Sequence, residues 1–315
     1  MQQRQLGSSS LMVAPLCFGG NVFGWTADES TSFSLLDAFV AADLNFIDTA
    51  DVYSRWAPDN KGGESETIIG KWFKRSGTRD KVVLATKVGM EMAPDRKGLK
   101  KDYILRAVED SLKRLQTDYI DLYQSHTDDA TTPFEETFEA YAQLVKQGKV
   151  RAIGASNFNG DRLGEALKVS MQHDYPVYQC LQPHYNLMER ADYEKDLEPI
   201  CMKSGLGVIP YFPLAAGFLS GKYRTEADLN KSRRGPGLKK YLSERGMRIL
   251  DALDTVAAET STSPATVALA WLMARPSVTA PIASATAVDQ LESLLAATRL
   301  KLNPGQISAL NTASA

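Results

Sequence analysis

The sequence predicts an α/β protein of the (β/α)8 TIM barrel class. Short apolar segments alternate with longer amphipathic segments along the whole chain, which is the pattern of repeated βα units. There are eight segments of each kind, and eight parallel strands favour a closed barrel over an open sheet. A chain of 315 residues is long enough for one such barrel, so we expect a single domain over residues 1–315.

The strands and helices of the predicted barrel follow one another in regular order. Ser263 followed by Pro264 marks one helix start, because the hydroxyl caps the helix and the fixed φ of proline suits its first turn. The predicted strands are 14–20, 44–51, 81–88, 118–126, 150–157, 176–186, 205–213 and 278–284. The predicted helices are 31–41, 64–75, 102–115, 134–146, 161–170, 193–204, 264–275 and 288–298.

Three segments lie outside the repeated units. Residues 2–13 predict a short N-terminal hairpin, since Gly7 and the serines after it supply turn residues between two apolar ends. A basic loop at 222–240 and an extra helix at 244–259, near the C-terminus, are insertions after the seventh strand. The chain ends soon after the last predicted helix, which leaves no room for a long C-terminal loop over the barrel.

Composition excludes several classes of protein. The 36 basic and 38 acidic residues nearly balance, so nothing indicates binding to nucleic acid or to an anionic membrane. Cys17, Cys180 and Cys201 form no CxxC pair and are typical of apolar filler in a reducing compartment. Pro15 breaks the early apolar stretch, and no later segment is long enough to span a bilayer. We expect a cytoplasmic protein; monomer and homo-oligomer both remain open.

Four polar residues end or follow consecutive predicted strands, where the active site of a barrel forms. These residues are Asp48, Tyr53, Lys87 and His126. Reduction of a carbonyl by a nicotinamide needs a proton donor, and a tyrosine serves if an ammonium lowers its pKa and a carboxylate holds that ammonium. His126 could donate a hydrogen bond to the substrate oxygen. Singly, each residue could be structural; together they predict a reductase site.

Several motifs occur in the order typical of one superfamily. They are LCFGG, FIDTADVYS, GESETIIGKW, ATKVG, DYIDLYQSH, GKVRAIGASNF, QPHYNLMER, VIPYFPLAAGFLSGKY and DQLE. Over nearly its whole length the chain therefore resembles the aldo-keto reductases, especially bacterial members and the related potassium-channel β-subunits. The resemblance implies that Tyr53 is the general acid, that Asp48 and Lys87 tune it, and that His126 orients the carbonyl.

The resemblance also implies a cofactor, NADPH or NADP+, with NADH as the alternative. The family's nicotinamide contacts match Ser156, Asn157, Gln182 and Tyr211, and its pyrophosphate stretch matches Phe212 to Lys222. The implied contacts in that stretch and at the adenosine end are Phe212, Pro213, Leu214, Leu219, Lys222, Arg233, Ser284, Thr286 and Gln290. The last segment lacks the usual cation for the 2′-phosphate, a role that Arg233 could take, whereas for Arg234 an exposed loop charge is an equal alternative.

Apolar and aromatic residues in the loops after the strands predict the substrate pocket. They are Phe23, Trp25, Trp56, Met90 and Phe158. Such a wall accepts many aldehydes, ketones or sugars, and the expected partner is a small carbonyl compound or the corresponding alcohol.

Two other functions stay open at this point. The channel β-subunits keep the cofactor and the same four residues, so a redox-sensing or regulatory subunit with little turnover is an alternative. A metal-dependent barrel hydrolase is the other, because carboxylates and imidazoles at strand ends also bind divalent metals. Its ligands would come from Asp48, Asp51, His126, Asp128 and Asp129, although no HxH or HExxH pair is present and we predict no metal.

Overall fold

A computed structural model describes residues 2–315 and confirms the predicted barrel. Eight short parallel strands lie in the order β10-β3-β4-β5-β6-β7-β8-β9. They are β3 (Cys17–Gly19), β4 (Phe46–Asp48), β5 (Val83–Val88), β6 (Ile120–Ser125), β7 (Val150–Ser156), β8 (Tyr178–Gln182), β9 (Gly207–Val208) and β10 (Ile282–Ala283). Each falls inside one of the strands that the sequence predicts.

Hydrogen bonds between the two ends of this strand order close the sheet into a barrel. The N–H of Thr279 donates to the carbonyl of Val208 at 2.8 Å, and the N–H of Ile282 donates to the carbonyl of Pro210 at 2.9 Å. Val208 and Val278 form a parallel bridge. The short β9 is thereby joined to the segment that leads into β10, so the strand order has no open edge.

The helices surround the barrel on its outer face. Between the strands lie α1 (Glu29–Ala41), α2 (Glu64–Ser76), α3 (Lys101–Leu115), α4 (Phe134–Lys146), α5 (Gly160–Gln172) and α6 (Glu198–Ser204). Later come α7 (Glu244–Thr260), α8 (Pro264–Met273), α9 (Val288–Ala297) and α10 (Pro304–Ser314). Among residues 2–315, no helix is both long and apolar enough to cross a membrane.

The last helix, α10, is absent from the prediction. Its sequence has little amphipathic pattern, but its start carries a capping box in which Asn303 and Gln306 cap each other's backbone N–H. The indole N–H of Trp271 donates to the side chain of Asn311 at 2.9 Å, which attaches α10 to α8. The chain after α9 is therefore used for packing against the outer helices.

The N-terminal hairpin is confirmed and closes the bottom of the barrel. Strands β1 (Arg4–Gln5) and β2 (Met12–Val13) pair antiparallel. The guanidinium of Arg4 donates to the carbonyls of Met273, Val278 and Thr279 at 3.0–3.1 Å. The apolar side chains of the hairpin join a cluster inside the barrel that consists of Leu6, Leu11, Val13, Cys17, Phe46, Ala85, Leu122, Ala152, Cys180, Ile209, Ala280 and Ile282.

Side-chain alternation along the strands gives the barrel interior an apolar layer and a polar layer. Successive residues of a strand point to opposite faces, so residues two apart share the interior. Phe46, Ala85, Leu122 and Cys180 lie in the apolar cluster. Two residues later on the same strands come Asp48, Lys87, Gln124 and Gln182, all buried. The functional end of the barrel is therefore a polar layer on an apolar floor.

Glycine is required at position 7 because the hairpin packs there against the backbone of β8. Gly7 has a φ of +60°, and a Cβ there would lie 2.1 Å from the carbonyl oxygen of Gln179. Gly77 has nearly the same φ, +63°, but a Cβ there would meet nothing within 4 Å. An alanine would have the same backbone strain at either position, but only at position 7 would its Cβ clash with another backbone atom.

We expect Gly7→Ala to lower the free energy of unfolding far more than Gly77→Ala. The left-handed backbone alone costs about 1–2 kcal/mol for an L-residue, and only Gly7→Ala adds a backbone clash. Urea denaturation of both variants, followed by circular dichroism, measures the difference. Equal losses in the two variants would mean that the hairpin is not seated on Gln179 as described.

Candidate active site

The carboxylate of Asp48 is the centre of the polar layer. Its Oδ2 accepts hydrogen bonds from the Lys87 ammonium at 2.7 Å and from the Tyr53 hydroxyl at 3.2 Å. Its Oδ1 accepts from the side-chain amides of Gln182 at 3.0 Å and Gln124 at 3.3 Å. Four strands, or the loops that follow them, thus direct donors at one buried carboxylate.

The Lys87 ammonium is fully buried and has three hydrogen-bond acceptors. They are the Asp48 carboxylate, the carbonyl of Thr49 and the hydroxyl oxygen of Tyr53, each at 2.7 Å. Burial lowers the pKa of Lys87, and the nearby Asp48 carboxylate works in the opposite direction. Because its three acceptors match its three N–H groups, the ammonium is held in one position beside the Tyr53 hydroxyl.

The pKa of Tyr53 is raised, which corrects the expectation from the sequence. Burial is the main cause, and the negative charge of Asp48 adds to it. The sequence suggests that the Lys87 ammonium lowers this pKa, but in the structure the same buried site also contains the Asp48 carboxylate, to which the hydroxyl donates. Tyr53 therefore keeps its proton at neutral pH and is a hydrogen donor.

His126 lies next to the Tyr53 ring. The two ring centroids are 5.9 Å apart, and His126 is 6% exposed. Burial, helped by the charge of Lys87, holds the pKa of His126 well below its usual range, so the ring is neutral. Its Nδ1 has no hydrogen-bond partner among residues 2–315. The ring lines the cavity, so a neutral imidazole that carries its proton on the other nitrogen, Nε2, can donate it to a bound molecule.

A cavity of about 890 Å³ opens above the polar layer. Asp48 and Lys87 lie beneath its floor, whereas Tyr53 and His126 line it. The other residues that the sequence singles out and that line the cavity are Trp25, Trp56, Met90, Ser156, Asn157, Gln182, Tyr211, Phe212, Pro213, Leu214, Lys222, Arg233, Ser284, Thr286 and Gln290. Its volume lies within the range of small-molecule sites.

Three residues expected at the site lie in the hydrophobic core instead. Phe23 is fully buried and stacks on Phe18, with ring centroids 5.4 Å apart. Phe158 is 4% exposed and packs between Phe134 and Tyr178. The side chain of Leu219 is also fully buried. Its N–H donates to the carbonyl of Leu214 at 3.1 Å, so this amide is already used within the turn.

The residues matched to nicotinamide contacts form a connected network on one wall. The hydroxyl of Tyr211 donates to Asn157 Oδ1 at 2.8 Å. The amide of Asn157 donates to Ser156 Oγ at 3.1 Å, and Ser156 donates to the carbonyl of Gln182 at 3.0 Å. Behind Tyr211, the ring of His184 stacks with centroids 5.2 Å apart and an interplanar angle of 9°. The sequence gives no sign that His184 supports this aromatic residue.

The backbone after β9 bends sharply along the cavity. Phe212, Ala215 and Ala216 all have a positive φ, between +47° and +55°. Such conformations cost about 1–3 kcal/mol each in residues other than glycine, and they concentrate at ligand sites. Lys222 and Arg233 line the cavity beyond this bend. At the adenosine end, the N–H and the hydroxyl of Thr286 both donate to Oε1 of Gln290. The hydroxyl of Ser284 donates to the carbonyl of Gly19 at 2.7 Å.

Of the two alternatives that the sequence leaves for Arg234, the structure favours a position at the site over an exposed loop charge. Arg234 is partly buried, lines the cavity and lies over the rings of Trp25 and Phe212. Its neighbour Arg233 is the more exposed of the two and also lines the cavity. The sequence of a loop does not predict which of two adjacent arginines faces the cavity. Unlike a helix or a strand, a loop has no regular alternation of buried and exposed residues.

A second buried acidic residue, Asp51, lies near the four residues Asp48, Tyr53, Lys87 and His126. Both carboxyl oxygens of Asp51 are buried and have no hydrogen-bond partner among residues 2–315. Burial, with a contribution from Glu66, raises the pKa of Asp51 to about 8. Glu66 itself accepts hydrogen bonds from Thr86 at 2.6 Å and Arg114 at 2.7 Å. Asp51 is therefore protonated at neutral pH.

The residues from which a metal site could be assembled do not come together. In the region that the structure describes, residues 2–315, no group of three or more His, Cys, Asp or Glu side chains could hold a metal ion. Asp48 is paired with Lys87, and Asp128 is paired with Arg162 at 2.7 Å. The ligand set of the hydrolase alternative is therefore not assembled.

A closed (β/α)8 barrel with a buried aspartate and lysine that are hydrogen-bonded to a partly buried tyrosine, beside a histidine, defines a class of oxidoreductase, the aldo-keto reductases. The model of the Aldo/keto reductase family matches residues 15–315. This chain belongs to that family, and the resemblance drawn from the sequence motifs is confirmed.

Relatives match nearly the full length of the chain. It is 37% identical to the Uncharacterized oxidoreductase YrpG of Bacillus subtilis, over 99% of this chain and 95% of that protein. It is 34% identical to the Aldo-keto reductase YhdN of Bacillus subtilis, over 97% and 89%. It is also 34% identical to a Probable voltage-gated potassium channel subunit beta of Oryza sativa subsp. japonica, over 92% and 89%.

We expect Asp51→Asn to stabilise the protein increasingly from pH 5 to pH 8. In the unfolded chain Asp51 loses its proton near pH 4, whereas the folded protein keeps it up to about pH 8. The contribution of Asp51 to the free energy of unfolding therefore falls as the pH rises from about 4 to about 8. Asparagine does not titrate, so the variant does not lose this contribution. Each pKa unit corresponds to about 1.4 kcal/mol, so the gain at pH 8 should exceed that at pH 5 by about 2 kcal/mol or more.

Thermal and urea denaturation of the variant and the unmodified protein at both pH values measures this difference. Asp95→Asn, in an exposed loop, is the matched control and should show no such pH dependence. A gain for Asp51→Asn that is equal at pH 5 and pH 8 would contradict the protonated state of Asp51.

Proposed function

We propose that this protein is an NADP(H)-dependent reductase that interconverts carbonyl compounds and alcohols, with Tyr53 as the general acid and base. One observation carries the proposal. The buried Lys87 ammonium donates to the Tyr53 hydroxyl oxygen at 2.7 Å, at the floor of the cavity and beside the neutral ring of His126. A proton donor, a group that stabilises its anion and a second hydrogen-bond donor therefore meet at one point.

The cavity fits a dinucleotide cofactor. Tyr211 offers a flat aromatic surface near His126, and Ser156, Asn157 and Gln182 offer amide and hydroxyl groups next to it. No Asp or Glu is among the residues that line the cavity, whereas Lys222 and Arg233 are, which suits phosphate groups. NADPH, when bound, supplies a hydride to the substrate carbon. Tyr211 and its three polar neighbours would hold the nicotinamide in one orientation.

Tyr53 would give its proton to the substrate oxygen as negative charge develops there. In the structure the hydroxyl donates to Asp48 over 3.2 Å, a long hydrogen bond that a substrate oxygen can replace. Lys87 stabilises the phenolate that remains, and Asp48 holds Lys87 in place. The neutral ring of His126 donates a second hydrogen bond to the same oxygen. In the reverse direction, the phenolate of Tyr53 accepts the proton of the alcohol.

The wall around this point is apolar. Trp25, Trp56 and Met90 line the cavity, and the two indole rings meet edge to face with centroids 5.8 Å apart. Trp56 in turn contacts the Tyr53 ring at 5.9 Å. Aldehydes, ketones and sugars of different sizes fit such a wall.

We expect Tyr53→Phe to lower kcat for aldehyde reduction by at least about a hundredfold while leaving NADPH affinity within about twofold. The substitution removes the hydroxyl and preserves the ring. Steady-state kinetics with NADPH and an aromatic aldehyde, together with a fluorescence titration of NADPH, measure both quantities. Tyr119→Phe, whose ring packs under Arg79 and Arg151 at the opposite end of the barrel, is the control. Near-normal turnover in Tyr53→Phe would overturn the assigned role.

We expect Arg233→Gln to weaken the binding of NADPH by about tenfold and that of NADH much less. A cation near the 2′-phosphate discriminates between the two cofactors through one charged contact, worth about 1.5–3 kcal/mol. Fluorescence titration of both cofactors against both proteins measures the selectivity. Equal weakening of NADPH and NADH would assign Arg233 to the adenine or the pyrophosphate instead.

A second candidate is a redox-sensing subunit with little turnover. It is favoured by the 34% identity to the rice protein named as a probable potassium channel subunit beta. The two candidates predict the same cofactor affinity and differ in turnover. Tight NADPH binding without reduction of any aldehyde, ketone or sugar in a panel would favour the sensor.

A further inference from the structure

The guanidinium of Arg234 lies on the wall of the cavity with aromatic rings as its neighbours. Its Cζ is 5.4 Å from the centroid of the Trp25 ring and 5.9 Å from that of Phe212. The side chain is partly buried, and burial lowers the pKa of Arg234. The charge is therefore withdrawn from water without the usual compensation of a carboxylate.

No protein group neutralises Arg234. Among residues 2–315, its guanidinium donates no hydrogen bond and makes no ion pair within 4.0 Å. By contrast, Nη2 of Arg224, in the same inserted segment, donates to both carboxylate oxygens of Asp254 at 2.7–2.8 Å. The cavity wall includes no Asp or Glu. A partly buried cation without a counter-charge is costly, so this position suits a bound anion.

One of the two ring neighbours of Arg234, Trp25, belongs to the apolar substrate wall, and the other, Phe212, begins the stretch matched to the pyrophosphate. Trp25 contacts Trp56 edge to face at 5.8 Å, and Trp56 contacts Tyr53 at 5.9 Å. Arg234, the two indoles and the proposed acid thus form one continuous wall. Lys222 and Arg233 are two further cations on the cavity wall, and they are available to the cofactor phosphates.

We propose that Arg234 is an anion-binding subsite for the substrate, and that the protein acts on carbonyl compounds that carry a carboxylate at the end remote from the carbonyl. This inference rests on the proposed reductase function. The planar guanidinium can hold a carboxylate through two parallel hydrogen bonds. Trp25 and Trp56 lie along the wall between Arg234 and Tyr53, so the carboxylate and the carbonyl would be at opposite ends of the substrate, with its apolar atoms against the indoles.

The test compares two substrates of the same shape. 4-Carboxybenzaldehyde carries the anion, and its methyl ester, methyl 4-formylbenzoate, lacks it. For Arg234→Gln we expect the ratio of kcat/KM for the acid to kcat/KM for the ester to fall by about tenfold or more, because one charged hydrogen-bond pair is lost. Lys239→Gln removes an exposed charge in the same segment and should leave that ratio unchanged.

Two outcomes would overturn the subsite. A proportional loss for acid and ester would show that Arg234 does not recognise the carboxylate. A weaker NADPH affinity in Arg234→Gln, with the ratio unchanged, would assign the guanidinium to a cofactor phosphate. Arg234→Lys keeps the charge but loses the planar pair of donors, so we expect an intermediate ratio.

A binding measurement separates this inference from the proposed function. If the unmodified protein reduces neither aldehyde, the reductase proposal fails. Benzoate and benzamide are then titrated into the protein with saturating NADP+, with tryptophan fluorescence as the readout. Benzoate that binds at least about tenfold more tightly than benzamide, with the difference lost in Arg234→Gln, would support the anion subsite. Equal binding of the two compounds, or a preference that survives in Arg234→Gln, would overturn it.

Discussion

The ion pair between Asp48 and Lys87 is the interaction on which the functional end of the barrel depends. Burying two charges is costly unless each is paired and all donors and acceptors are used, and removing one partner of such a pair costs about 3–5 kcal/mol. Here the carboxylate accepts four hydrogen bonds and the ammonium donates three. The pair fixes Tyr53 above it, and the positive charge of Lys87 adds to burial in keeping His126 neutral. The chemistry at the cavity floor is therefore set by charges that lie beneath it.

The apolar layer below makes that arrangement stable. Phe46, Ala85 and Leu122 fill the barrel directly under the ion pair, and Leu6 and Val13 of the hairpin close the bottom. The cavity lies on the opposite side of the polar layer from these apolar residues. With water excluded on one side, the electrostatic interaction between Lys87 and Tyr53 is stronger than it would be in a solvated site.

Much of this could be predicted from the sequence, and the failures have physical causes. The strands and most helices could be predicted from the spacing of hydrophobic residues. Asp48, Lys87 and His126 could be predicted to lie together because the carboxyl ends of parallel strands meet at one end of a barrel. Gln124 is two residues before His126, so strand alternation places both side chains on the same face, although nothing in the residue type of Gln124 alone indicates a role at the site. Phe23 and Phe158 follow strands too, but whether a loop aromatic faces the cavity or the core depends on tertiary packing. Arg234 and α10 depend on contacts between distant segments, which local patterns do not encode.

The contacts between the N-terminal hairpin and the C-terminal part of the barrel also constrain the order in which the barrel can form. Arg4 bonds the carbonyls of Met273, Val278 and Thr279, and β3 pairs with β10. Arg4 is therefore synthesised 269 to 275 residues before the carbonyls to which it donates. Contacts of such long sequence separation form late and slowly. Until the segment that leads into β10 has been synthesised, the hairpin lacks the hydrogen bonds that hold it to the barrel, and Leu6 and Val13 lack Ala280 and Ile282 from their apolar cluster.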